Sequence, residues 1–143
     1  MTSLKKKHIV IDLVCGLIIL YFSYNLIGRL SRIDDFMLML REMPFLRFNV
    51  KISTTIMTGI ELAIASLLFL PTTRSIGIKI AFAWFIAMSG YVAYLIFFST
   101  IKPCSCILMV PGITWNQYFN LNIILCVLTT ICIKLNYRQT QYR

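Results

Sequence analysis

Apolar residues fill four long stretches of this chain almost without interruption: Ile9–Gly28, about Ile52–Leu70, about Ile76–Phe98 and about Tyr118–Leu135. Each approaches the ~17–25 residues that a helix needs to cross the hydrocarbon core of a bilayer. Pro71 follows the second run and Pro103 the third, and proline removes a backbone donor and collides with the preceding turn. Trp115 and Tyr118 stand where the fourth run begins, and Tyr21 and Tyr24 near the end of the first, the places where aromatic side chains collect at a membrane–water boundary.

Between the first two runs the pattern changes. Ile33, Phe36, Met37 and Leu40 recur at i, i+3, i+4 and i+7, with Arg32, Asp34, Asp35, Arg41 and Glu42 on the other side. This spacing predicts an amphipathic helix over residues 32–43 lying in the interface plane, with a plain surface loop as the alternative. Ser31 followed by Asp34 resembles a capping box at its start, and Pro44 marks its end. The expected architecture is all-α: one integral membrane domain over residues 1–143, a four-helix bundle with an interfacial helix between its first two spans.

Composition narrows the classes further. The 143 residues are 59% hydrophobic and 13% charged, with a mean hydropathy of +0.81, whereas soluble domains carry about 25% charged residues. So apolar a chain is not disordered, and five cysteines are too sparse for a secreted disulfide scaffold. The net charge of +9 is scattered between apolar runs and forms no continuous basic face, which argues against nucleic acid; the partner it implies is the lipid bilayer. The basic start reads as a retained first helix, not a signal peptide. The run is too long for an h-region, Asp12 interrupts it, and no small-x-small cleavage site follows.

Orientation follows from Lys and Arg. Cytoplasmic termini place Lys5, Lys6, Lys7, Arg74, Lys79, Lys134, Arg138 and Arg143 inside, against Arg29, Arg32, Arg41, Arg47, Lys51 and Lys102 outside. The expectation is a multi-pass protein of a bacterial inner (cytoplasmic) membrane with both termini cytoplasmic.

The stretch Lys102-Pro103-Cys104-Ser105-Cys106 carries the most chemistry. Two cysteines one residue apart can close a small strained disulfide, which is easily reduced and suits exchange better than bracing. In the expected orientation Cys104 and Cys106 face the oxidising periplasm. The alternatives are two unpaired loop cysteines or half of a soft-metal site. The metal reading lacks ligands, since His8 is the only histidine and is expected across the membrane. Cys15, Cys126 and Cys132 lie inside spans and read as small hydrophobes.

Glu61 falls near the middle of the second span, on one face with Thr54, Thr58 and Ala65. With no Lys or Arg expected at its depth, it reads as protonated or hydrogen-bonded to a neutral partner. Its functional reading is a proton donor or a hydrogen bond to a bound quinone, and its structural reading a polar contact between helices. Asp12 and Lys79, each about one turn inside the cytoplasmic boundary, are expected to pair, with snorkelling of Lys79 as the alternative. Ala83, Ala87 and Gly90 make a small-residue face suited to close helix packing. Asn116, Asn120 and Asn122 open the last helix, to orient a ligand or to cap its start.

Together these residues resemble the MauE/DoxX-like redox-associated membrane proteins, named for the methylamine-utilisation protein MauE, and most of all the members of Bacteroidetes type. The resemblance rests on Phe36, Leu40, Pro44 and Leu46 after the first helix, on Glu61 in the second, and on Pro103, Cys104 and Cys106, then Trp115 and Asn122, leading into the last. The chain departs from the pattern at Ile107-Leu108, where glycines are common, and at Tyr118, where a histidine usually follows the tryptophan. What the resemblance implies is a membrane thiol–disulfide relay that works with a periplasmic thioredoxin-like partner in maturing exported proteins. The readings that compete with a relay are a non-enzymatic assembly scaffold and a small-ligand or quinone-binding bundle centred on Glu61.

Overall fold

The computed structural model describes residues 2–43, 45–100 and 112–140, with side chains for 6–43, 45–100 and 112–136. In chain order the elements are α1 (Thr2–Ser31), α2 (Ile33–Glu42), a single 3-10 turn (Arg47–Asn49), α3 (Val50–Phe69), α4 (Arg74–Phe97) and α5 (Trp115–Thr140). Strands are absent among the described residues. Four helices, over Lys6–Ser31, Arg47–Phe69, Arg74–Phe97 and Trp115–Asn136, are long and apolar enough to cross a membrane. Their outer faces agree: Leu13, Leu20 and Ile27 on α1, Phe69 on α3 and Phe97 on α4 are all more than half exposed. In water such a surface would be an aggregation liability, and against acyl chains it is the ordinary state. The chain is a multi-pass membrane protein.

The four long helices alternate in direction. α1 packs on α3 and α5, and α4 packs on the same two, which leaves α1 and α4 on the diagonal. The diagonal is filled by aromatic rings. Phe22 of α1 stacks on Phe85 of α4 with centroids 5.5 Å apart, and Tyr21 meets Phe85 edge-on at 5.7 Å. Around them lie Ile18, Ile64, Leu68, Ile78 and Ala81, each at most 1% exposed. The turn from α3 to α4 is tight. Thr73 caps back onto Leu67 O through its hydroxyl at 3.0 Å, and Gly77 lets α4 pass so close to α3 that an added Cβ would lie 3.1 Å from the Leu67 and Leu68 backbone.

Several local expectations change. α1 does not stop at Gly28 but runs on to Ser31, whose hydroxyl bonds back to Ile27 O at 2.8 Å. Ser31 and Asp34 therefore form no capping box. The N-cap of α2 is Arg32, which has no side-chain cap bond, and its Nε reaches Asp35 Oδ2 at 3.1 Å. The buried stripe of α2 is Phe36, Met39, Leu40 and, just past its end, Met43, while Ile33 turns outward. The helix is one residue shorter at each end than predicted and is rotated, because this stripe seals one end of the bundle. Pro44 lies outside the described residues. Ala83, Ala87 and Gly90 are exposed, so this small-residue face of α4 packs on no other helix among the described residues.

Candidate functional site

The inward stripe of α1 advances by threes and fours through Ile11, Val14, Cys15, Ile18, Phe22, Asn25 and Arg29, all buried. Its last member is charged. From α3, Thr54, Thr58 and Glu61 turn the expected polar face toward it, and Arg29 and Glu61 are each 5% exposed. Arg29 Nη2 donates to Glu61 Oε1 at 3.0 Å and Nη1 donates to Thr58 Oγ1 at 3.4 Å. The Phe36 ring of α2 lies over the guanidinium, 4.5 Å from Cζ to centroid. A cation over an aromatic face gains about 0.5–2 kcal/mol, most when desolvated, so the pair also helps to seat α2. The expectation of a Glu61 without a basic neighbour is thereby corrected. The apolar run ends at Gly28, but three further residues of helix carry Arg29 inward to Glu61.

The pair is not saturated. Arg29 Nε and Glu61 Oε2 are buried and have no hydrogen-bond partner among the described residues. Arg29 and Glu61 both line a cavity of about 70 Å³ under α2, shared with Asn25, Met39, Met43, Met57, Met88, Tyr91, Trp115 and Tyr118. The Tyr118 side chain lies beside that of Tyr21, which in turn lies beside Asn25. Polar groups of α1, α3 and α5 thus converge on one spot with an otherwise apolar, sulfur-rich and aromatic wall, the usual make-up of a small-ligand pocket.

The remaining candidate residues fall in three places. Trp115 lines the cavity and meets Tyr118 edge-on at 6.5 Å. Asn122 is 1% exposed and donates from Nδ2 to Tyr118 O at 3.0 Å, so it braces α5 from within and does not cap it. The cap is a reciprocal pair that the asparagines obscured: Thr114 N donates to Gln117 Oε1 at 3.0 Å and Gln117 N to Thr114 Oγ1 at 3.4 Å, a capping box of T-x-x-Q form.

At the opposite end of the bundle, Asp12 pairs with Arg74 at the start of α4, not with Lys79, which is exposed. Helical spacing explains the exchange: Arg74 and Lys79 are five residues apart, and the α3–α4 turn delivers Arg74 beside α1. Cys15 and Cys132 are buried in the core and Cys126 is half-buried, all as free thiols. Cys104 and Cys106 belong to residues 101–111, outside the described residues. The helices on either side of that segment, α4 ending at Phe97 and α5 beginning at Trp115, have those ends at the same side of the bundle as α2 and the Arg29–Glu61 pair.

Arg29, Asn25, Tyr118 and the methionine group are the site residues that sequence reasoning passed over. A signal existed for the first two, since Phe22, Asn25 and Arg29 continue the spacing of the apolar stripe. For the methionines there was none, because their convergence depends on how α2 folds over the bundle; Tyr118 was visible as an aromatic at the start of the fourth run but not as a neighbour of Glu61.

No curated protein and no solved structure matches this chain. A family model described as "Methylamine utilisation protein MauE" matches residues 7–134, from the first membrane helix into the last and through both partners of the buried pair. The chain belongs to the MauE family.

Proposed function

We propose that this chain is a membrane thiol–disulfide redox protein whose Cys104 and Cys106 cycle between dithiol and disulfide. One observation supports the reading above others. The C-x-C pair stands in the connection between α4 and α5, helices whose joined ends share one side of the bundle with the polar cavity. The orientation proposed with it keeps both termini in the cytoplasm of a bacterium, the bundle in the inner membrane, and the cysteines toward the periplasm. The partner is a periplasmic thioredoxin-like protein, and the exchange serves maturation of exported proteins.

The exchange follows ordinary thiol–disulfide chemistry. A thiolate of one partner attacks a disulfide sulfur of the other, forms a mixed disulfide and expels a thiolate. The neighbouring cysteine of the attacking pair then displaces the second sulfur. One protein ends as the disulfide and the other as the dithiol, and the reverse direction uses the same steps.

The test is the redox state of the pair in intact cells, read as a mass shift after alkylation. The reading expects Cys104 and Cys106 to move between two states with oxidant, reductant and deletion of the partner. A single fixed state under all three sinks it. Serine at both positions separates a relay from an assembly scaffold, which would keep its function without the thiols.

A further inference from the structure

We infer that the cavity under α2 is a binding site for the ring of a membrane quinone or quinol. Three observations carry this. First, the cavity holds one cation and one anion, paired with each other at 3.0 Å, and its other lining residues are uncharged. An anionic ligand would face Glu61 and a cationic one Arg29, so the pocket favours a neutral molecule. Second, Arg29 Nε offers a donor and Glu61 Oε2 an acceptor, both buried and without a partner among the described residues. A quinone carbonyl accepts from the first, and a quinol hydroxyl donates to the second. Third, the wall is apolar and adaptable. Met39, Met43, Met57 and Met88 line it, four of the seven methionines of the chain. Unbranched thioethers rearrange easily and pack well against aromatic rings.

That adaptability is needed. At about 70 Å³ the cavity has room for about two waters at ~30 Å³ each, whereas a cavity of ~150 Å³ accepts a benzene ring. Entry of the ring therefore requires the unbranched methionine side chains to rotate aside. A lipid-soluble ligand reaches such a pocket from the bilayer that surrounds the helices.

The role of the site rests on the thiol–disulfide reading, and its existence does not. With that reading, oxidation of the Cys104–Cys106 dithiol breaks two S–H bonds and forms one S–S bond. The two electrons and two protons released reduce the quinone to quinol, forming two O–H bonds.

Quinones quench indole fluorescence, and the chain has two tryptophans, of which Trp115 lines the cavity and Trp84 does not. The experiment titrates a short-tail benzoquinone into the full purified chain carrying Trp84→Phe, in detergent. Thermal unfolding of the otherwise unaltered chain with and without the same quinone provides a second readout. The expected result is saturable quenching and a raised unfolding temperature. Glu61→Gln, and Met57→Phe, which fills the cavity and leaves the ion pair in place, should each weaken binding about tenfold or more, as expected for a lost charge-assisted contact or a blocked pocket. Quenching that rises linearly and alike in all variants overturns the inference. So does equal displacement of the quinone by dodecyl phosphate, which would mark an anion site. Cys104→Ser/Cys106→Ser should bind as the parent does. Loss of quinone binding with cysteines that still cycle therefore refutes the site alone, and binding with cysteines fixed in one state refutes the relay alone.

Discussion

Replacing one member of the Arg29–Glu61 pair tests whether the polar centre of the bundle holds α2 in place. Both side chains are almost fully buried and joined at 3.0 Å, and the Phe36 ring roofs the guanidinium at 4.5 Å. Arg29→Leu leaves the Glu61 carboxyl with Thr58 nearby and no cation, and Glu61→Leu leaves the guanidinium without its anion. Breaking a buried pair from one side costs about 3–5 kcal/mol, and Arg29→Leu also removes the cation–π contact, worth about 0.5–2 kcal/mol. Glu61→Leu should fall at the lower end, because Arg29 stands two residues before the end of α1 at Ser31 and a freed guanidinium can turn outward. The double replacement removes both charges and should regain most of the loss, since apolar substitutes for a buried pair are often neutral. Equilibrium unfolding of the purified chain in mixed micelles with rising SDS, followed by helical circular dichroism, measures all four corners of the cycle. A loss of about 3 kcal/mol is a change of about 150-fold in the unfolding constant. If each single variant loses less than about 1 kcal/mol and the coupling matches that of an exposed ion pair, the reasoning is refuted.

The same unfolding assay checks the rest of the frame. Gly77→Ala should cost about 1–3 kcal/mol, because the new Cβ meets the backbone of Leu67 and Leu68 at 3.1 Å and backbone cannot step aside as a side chain would. Phe85→Ala should cost about 3–5 kcal/mol by opening the diagonal where it stacks on Phe22. Thr114→Ala should cost about 1 kcal/mol through the lost cap of α5, with the start of that helix exchanging amide hydrogens faster than its middle. Asp12→Asn should cost no more than about 1 kcal/mol, since its bond to Arg74 is partly exposed and such pairs contribute little.

Much of the scaffold was legible because a bilayer demands long apolar helices, and the chain contains four separated by proline and polar turns. The inward turn of Thr54, Thr58 and Glu61 was legible for a related reason: polar groups in a span avoid lipid, and helical spacing places these three together. The partner of Glu61 was not read, because the apolar run ends at Gly28 while the helix does not. A polar residue at a helix end costs little if it faces water, so hydropathy alone gives no reason to extend α1 to Arg29. The rotation of α2 was hidden likewise. Ile33 and Met39 are similarly apolar, and only the contacts of Phe36 and Leu40 with the bundle decide which of the two is buried. Asp12 met Arg74 because the α3–α4 turn, a matter of local hydrogen bonds at Thr73, sets where α4 begins relative to α1.

The central claim concerns Cys104 and Cys106, and trapping tests it most directly. A relay passes through a mixed disulfide that the second cysteine resolves, so Cys104→Ser and Cys106→Ser, made separately and expressed in intact cells, should stall it. The account predicts that one of these single variants accumulates a covalent adduct with an exported thioredoxin-like protein, cleaved by reductant and absent from the double-serine chain. No reducible adduct from either single variant would contradict it.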